Sequence, residues 1–329
     1  MAQRPLVRSV ATAAAAIAAL AAVAGCGSSG SGTSGSAAPS ASTGASSAAA
    51  AAFPVTVTPS NGKVTVKDQP KHIVSLSPTA TEDLYAVGAG SQVVAVDSTS
   101  DYPKGAPVTS LSGLTPNVEA IVKYSPDLVV ASQDSGGLVA SLRKLGVPVM
   151  IEPAAATLDD AYTQIEQIGQ ATGHADKAAA TVAGMKTQIA ATVAKAGAAH
   201  PNLGYYWELS ANPYYSATSK TFVGQVVSLF GLKNIADAAD KAADGGYPQL
   251  SAEYVVKAQP QIIFLGDNEA ADGGQSPAVV AARPGWSGIP AVKNSQVVGL
   301  NDDVASRWGP RLPELVAEIA AAVEKAPTK

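Results

Sequence analysis

Two stretches of this chain carry the same order of polar and apolar positions. The first runs from Val118 to Val130 and the second from Ala252 to Phe264, and they align without a gap. They share Glu119/Glu253, Val122/Val256, Lys123/Lys257 and Pro126/Pro260. In each, a short helix stops at the proline. The unbroken apolar run that follows predicts a parallel strand covered on both faces. A long Ala-rich helix, Asp176 to Ala196, separates the copies, with Val182, Met185, Ile189 and Val193 at helical spacing as one apolar stripe. The pattern predicts an α/β fold: two related lobes with central, mostly parallel sheets, joined by a single long backbone helix.

The remaining segments fill in this frame. Val64 to Val66 reads as an edge strand after a turn at Asn61-Gly62. His72 to Leu76 is a buried strand, and Ser77 or Thr79 caps a helix from Thr81 to Val87. A strand at Gln92 to Asp97, a helix at Leu138 to Leu145 and a strand at Val147 to Ile151 follow in alternation. That order places ligand loops at the carboxyl ends of the strands. An amphipathic helix, Leu158 to Thr172, precedes the Ala-rich one. The second half reads as a strand (Leu203 to Leu209), helices (Phe222 to Phe230 and Ala278 to Ala282), a strand (Gln296 to Leu300), a loop (Asp303 to Trp308) and a terminal helix (Leu312 to Glu324).

The amino terminus departs from this regime. Arg4 and Arg8 precede an apolar, Ala-rich run from Val10 to Ala24, and Val23-Ala24-Gly25-Cys26 resembles a bacterial lipobox. Cys26 is the chain's one cysteine and the expected site of lipidation. Gly, Ser, Thr, Ala and Pro then dominate up to Ala52, a composition that stays flexible and spans roughly 25–30 Å r.m.s.. The expected organisation is a lipoprotein signal peptide and lipobox (1–26), a tether (27–60), an N-terminal lobe (61–172), the backbone helix (173–199) and a C-terminal lobe (200–329). Localisation follows: extracytoplasmic, on the outer face of the cell membrane, held there by lipidated Cys26.

Hydrophobic residues make up 47% of the chain, and the formal net charge is −4 at pH 7. There is no basic stripe with interleaved aromatics, so nucleic acid is not an expected partner. Three scattered histidines, His72, His174 and His200, do not offer a transition-metal site, and no P-loop or nucleophile elbow lies in the folded part. The expectation is a binding protein without catalytic residues, metal site or covalent cofactor. All three tryptophans, Trp207, Trp286 and Trp308, lie in the second half, and Tyr205, Tyr206, Trp207, Tyr214 and Tyr215 crowd together. Outside the leader, arginine occurs only at Arg143, Arg283, Arg307 and Arg311. Aromatics and arginines at loop ends suit a cleft for a flat ligand with polar edges. Part of the aromatic cluster is also expected to pack the strand at Tyr205 to Trp207 against helices.

From His72 to Gly88 the sequence resembles the periplasmic solute-binding proteins of cobalamin and ferric-siderophore ABC importers. Asp97 to Pro103, both repeat copies and Arg307 to Arg311 extend the resemblance, which runs from about residue 64 to the end. It implies a ligand held between two lobes with little hinge motion. It implies that Glu119 and Glu253 dock, one from each lobe, on a two-fold symmetric permease dimer served by a cytoplasmic ATPase. It places Tyr247, Asp303 and Arg307 on the ligand side. The aromatic cluster adds Trp207 and Tyr214, and with them Trp308 and Thr99, as further expected ligand contacts. Two first-lobe positions that are aromatic in cobalamin-binding members fall at Thr99 and Gly113. The expected cargo is a metal chelate, a corrinoid ahead of a ferric siderophore or haem, carried by a monomer. An extracytoplasmic enzyme or sensor on the same scaffold is the alternative.

Overall fold

The structure is a computed structural model that describes residues 52–197, 200, 203–268 and 274–327. The leader, Cys26 and the tether up to residue 51 lie outside the described residues. The first elements are a hairpin, β1 (Val55–Val57) antiparallel to β2 (Val64–Val66), with Val55 opposite Val66. β1 falls in the stretch expected to be tether. Val57 is buried, and the turn is pinned where Ser60 and Asn61 hydrogen-bond to the backbone of Val149 and Ile151.

The N-terminal lobe continues with β3 (Ile73–Leu76), α1 (Pro78–Ala86), β4 (Val93–Val96), α2 (Val118–Val122), β5 (Leu128–Ala131), α3 (Leu138–Lys144) and β6 (Val149–Ile151). The strands form a wholly parallel sheet in the order β4-β3-β5-β6. α1 begins earlier than the sequence predicts, because the Ser77 hydroxyl accepts from the Ala80 amide and Pro78 occupies the first turn. Then come α4 (Leu158–Thr172), closed by a reciprocal Thr157/Asp160 capping box, and the backbone helix α5 (Ala175–Ala196).

The C-terminal lobe comprises β7 (Gly204–Ala211), β8 (Tyr214–Ser216), α6 (Phe222–Ser228), β9 (Lys233–Asn234), α7 (Ala252–Ala258), β10 (Ile262–Leu265), α8 (Pro277–Ala281), α9 (Pro290–Lys293), β11 (Val297–Gly299), α10 (Asp302–Ser306) and α11 (Leu312–Lys325). β9, β7, β10 and β11 lie side by side and parallel, and β8 adds an antiparallel edge to β7. The order β9-β7-β10-β11 reproduces β4-β3-β5-β6. The sequence repeat is therefore a repeat of topology. α10 replaces the expected loop: the Asn301 side chain accepts from the Val304 amide, and Asp302 and Asp303 follow in the first turn. A five-residue helix with a polar start has too little apolar periodicity to announce itself.

Backbone detail makes the repeat closer still. Asn117 caps α2 and Ser251 caps α7, each accepting a backbone N–H three residues on. Ser125 (φ 49°) and Gln259 (φ 52°) take the left-handed conformation directly before Pro126 and Pro260. Proline clashes with a right-handed helical residue before it, so the chain leaves each helix through this one residue.

One apolar core runs through both lobes. It joins Ile73, Leu84 and Leu128 to Met185, Ile189, Tyr205, Phe264 and Ile319, with α5 packed on α4 and α11. Separate clusters fill the outer faces around Ile121 and around Trp286. A continuous core of this kind couples the lobes through close packing and not through a flexible linker.

Candidate functional site

The carboxyl ends of the strands of both lobes meet at a cleft. A cavity of about 160 Å³ lies there, lined by Ala154 and Ala155 after β6 and by Trp207, Leu209, Phe222, Val223, Tyr247, Gly266, Ala305, Ser306 and Trp308. The lining is apolar and aromatic on the C-terminal side and small on the N-terminal side.

Tyr247 is half exposed. Gly246 before it has φ +91°, and a Cβ there would stand 3.0 Å from Thr221 Cγ2. Only glycine supports that turn at low cost, and it delivers the tyrosine ring to the cleft. Trp308 closes another side, its indole N–H donating to Gln164 Oε1 at 2.9 Å. Trp207 is 1% exposed and packs on Phe264 with ring centroids 5.8 Å apart, so it serves core and cleft wall together. Tyr214 lies elsewhere: its ring is 5.7 Å from Trp286 and 5.3 Å from the Arg283 guanidinium, in the outer cluster. Glu208 and Trp207 are neighbours on β7 and point to opposite faces, which separates these two aromatic groups.

Arg307 and Asp303 meet at the seam of the lobes. Arg307 donates to Glu82 Oε1 (2.9 Å), Asp101 Oδ1 (3.0 Å) and the Thr99 carbonyl (3.3 Å), and also to Asp303. Arg311 grips the same Glu82 with two further bonds, 2.8 and 2.6 Å, and stacks on Tyr102. Glu82 sits on α1 and is fully buried; the two arginines come from the C-terminal lobe. The sequence marked Arg307 but not Glu82, which sits beside Asp83 on a helix that also carries Thr79 and Thr81. Removing one partner of such a buried set costs about 3–5 kcal/mol. Burial alone would raise Asp101, but the Arg307 hydrogen bond holds it below its ordinary value. In Asp303 burial wins over Arg307, and its carboxyl is raised.

Thr99 turns its hydroxyl back onto Asp97 (2.7 Å), which also accepts from Ser100. Gly113 is pressed against the end of β3. A Cβ there would fall well inside contact distance of the Leu76 carbonyl oxygen, and 3.3 Å from Asp97 Oδ2. Exposed apolar side chains sit instead at Val108 and Leu114 on the same loop. Beneath this wall lie two buried carboxyls. Burial, then Glu82 and Glu152, push Asp83 well above the usual range, and burial pushes Glu152 up to about 8. Among the described residues no group of three or more His, Cys, Asp or Glu is arranged to hold a metal ion.

Comparison with known proteins gives the class of this cleft. The profile of the family described as periplasmic binding protein matches residues 73–304. The chain belongs to that family. It is 34% identical over 284 residues to an ABC transporter substrate-binding lipoprotein of Bacillus subtilis (strain 168), YvrC, covering 82% of this chain and 86% of the relative. It is 32% identical over 280 residues to a cobalamin-binding protein of Halobacterium salinarum, covering 82% and 74%. The crystal structure of the periplasmic vitamin B12 binding protein BtuF of Vibrio cholerae superposes with a TM-score of 0.64 at 28% identity, over 78% of this chain and 97% of that one. The periplasmic binding proteins are thus its kin in sequence and in two-lobed architecture, and its function is that of a substrate-binding protein of an ABC importer.

In this frame Glu119 and Glu253 occupy matching places. Each is exposed, in the first turn of α2 or α7, at the cleft end of its lobe. The Glu253 carboxylate is held below its ordinary value by its own backbone N–H and by the Ser251 hydroxyl.

Proposed function

We propose that this protein is a lipid-anchored, extracytoplasmic receptor that binds a corrinoid between its lobes and presents it to an ABC permease dimer driven by a cytoplasmic ATPase. The observation that carries the choice of ligand is the character of the cleft. Its C-terminal wall is aromatic, while the guanidiniums at the seam, Arg307 and Arg311, are already engaged by Glu82. A strongly anionic ferric catecholate would find no free cation among these residues, whereas an uncharged or weakly cationic macrocycle needs none. The cavity is below the roughly 300–1,000 Å³ of ordinary ligand sites. It therefore suits one edge of a large chelate whose remainder lies in the open cleft, stacked on Tyr247 and Trp308 and flanked by Thr99, Asp303 and Arg307. The Halobacterium and Vibrio relatives, named for cobalamin and vitamin B12, support the same reading.

Haem is the second reading, because the half-exposed Tyr247 phenol is a conventional iron ligand. Docking is assigned to Glu119 and Glu253: two equivalent carboxylates fit two equivalent cationic sites on a symmetric dimer. The anchor is Cys26. Titration of tryptophan fluorescence with cobalamin, haem and a ferric hydroxamate separates the cargoes, since Trp207 and Trp308 line the cavity. Saturable quenching by cobalamin is the expected result. A response to haem alone moves the assignment to the second reading, and silence towards all three sinks the chelate.

A further inference from the structure

A larger groove, about 670 Å³, lies on the N-terminal lobe at the pole opposite the cleft. Its walls include Lys71 just before β3, Pro126 and Asp127 just before β5, and Val147 and Pro148 just before β6. These are the amino ends of the parallel strands. Lys63, Lys67, Lys71 and Arg143 line it, and none of the four is in an ion pair among the described residues. Two acids, Asp68 and Asp127, share the groove, Asp127 accepting from the Lys71 and His72 amides at 2.7 and 3.0 Å, so the four cations outnumber the acids by two. In a chain of net charge −4, an unpaired cationic surface is against the overall trend. Leu145 lies among these cations and is 59% exposed. Cations around an exposed apolar side chain match the layered chemistry of a bilayer surface, phosphate outside and hydrocarbon beneath.

The course of the chain favours the same partner. β1 begins at Val55, which pairs with Val66, so the segment upstream leaves the body beside Lys67. That segment carries the lipidation site assigned above. A tether ending at this pole raises the effective concentration of bilayer around the groove.

We propose that this groove docks on anionic phospholipid headgroups through Lys63, Lys67, Lys71 and Arg143. Docked there, the body faces its cleft away from the bilayer. Turning over to a permease through Glu119 and Glu253 then competes with lipid contact. The proposal uses the anchor and does not depend on which ligand fills the cleft.

Hydrogen exchange of the full chain on vesicles is the test. One set is phosphatidylcholine only; the other also contains phosphatidylglycerol. Protection of amides within 63–71 and 143–149 is expected on the anionic vesicles, absent on the zwitterionic ones and lost at high salt. Neutralising each cation is expected to weaken the anionic-lipid contact roughly five-fold. Lys67→Gln/Lys71→Gln should therefore show an intermediate loss, and the variant with all four cations changed to Gln a complete one. Both variants are expected to keep the thermal midpoint and the ligand titration of the parent. Equal protection on both vesicle types, or on neither, overturns the proposal, as does protection that survives in the Gln variants. Protection produced by inorganic phosphate alone, or by raising protein concentration without vesicles, also overturns it, in favour of a soluble anion or a second copy of the chain.

Discussion

In the N-terminal lobe, the loop from β4 to α2 meets the cleft with Thr99 folded back onto Asp97 and Gly113 wedged against Leu76. In the C-terminal lobe, the corresponding loop from β9 to α7 presents Tyr247, and Trp207, Phe222 and Trp308 stand behind it. The sheets beneath these loops have the same order, and the helices after them have the same caps and the same left-handed residue before proline. The difference shows which parts of a duplicated unit are free to diverge. Strand and helix positions are held by burial on both faces. Long surface loops carry little of the core, and most of their positions change side chains without cost to the frame.

The comparison breaks most completely at the two carboxylates proposed for docking, Glu119 and Glu253. Reversing Glu119 and Glu253 together to Lys is expected to abolish ATP-driven uptake in reconstituted vesicles, with ligand affinity unchanged. Each single reversal should leave partial uptake if the lobes contribute equally. Lost affinity would place these carboxylates on the ligand instead. Next in size is the ionic seam. Glu82→Gln leaves Arg307 and Arg311 buried without their carboxylate and is expected to lower stability by about 3–5 kcal/mol in urea unfolding. A loss under about 1 kcal/mol, the scale of an exposed pair, would show that the shared core alone holds the lobes together. At the ligand walls, Tyr247→Ala is expected to weaken corrinoid binding by roughly ten-fold, in keeping with the loss of one aromatic contact and its buried area. Leu114→Ala, on the opposite wall, should change it less; equal effects would make the two walls equivalent.

A pH-dependent effect concerns the buried carboxyl after β6. Folded, Glu152 keeps its proton up to about pH 8, against an ordinary value of 4.5. Between those limits the folded state binds more protons than the unfolded one, so stability falls as pH rises across the window. Asp83 acts in the same direction. Glu152→Gln should flatten that slope in denaturation midpoints measured from acid to mildly alkaline pH. An unchanged slope would mean that the Glu152 carboxyl is solvated.

Much of the frame was legible because it rests on periodicity. Continuous apolar runs mark β5 and β10, the stripe Val182, Met185 and Ile189 is the buried face of α5, and the Glu and Pro spacing marks both repeat copies. What escaped was short or paired across distance. β1, β8 and β9 span two or three residues each, too few for a pattern. α10 is announced by its cap alone. In the cleft, Tyr247 is legible only through the family resemblance, and Trp308 as one of three tryptophans in the second half. Their separation from Tyr214 is not legible, because it depends on which face of β7 each group joins. Glu82 was hidden for a related reason: its partners lie 225 and 229 residues away. Nothing local distinguishes a buried, clamped glutamate from a solvated one.

Gly113 bears on how this receptor could acquire a different cargo. Any side chain at that position collides with the backbone at the end of β3, so no single substitution there can add an aromatic ring without moving a core strand. Tyr247 itself carries no such constraint, although Gly246 before it is fixed by its positive φ. Evolution towards new ligands, or directed selection in the laboratory, therefore has an open route through the C-terminal wall. On the N-terminal wall it has a detour through Val108 and Leu114, which already stand exposed on the same loop.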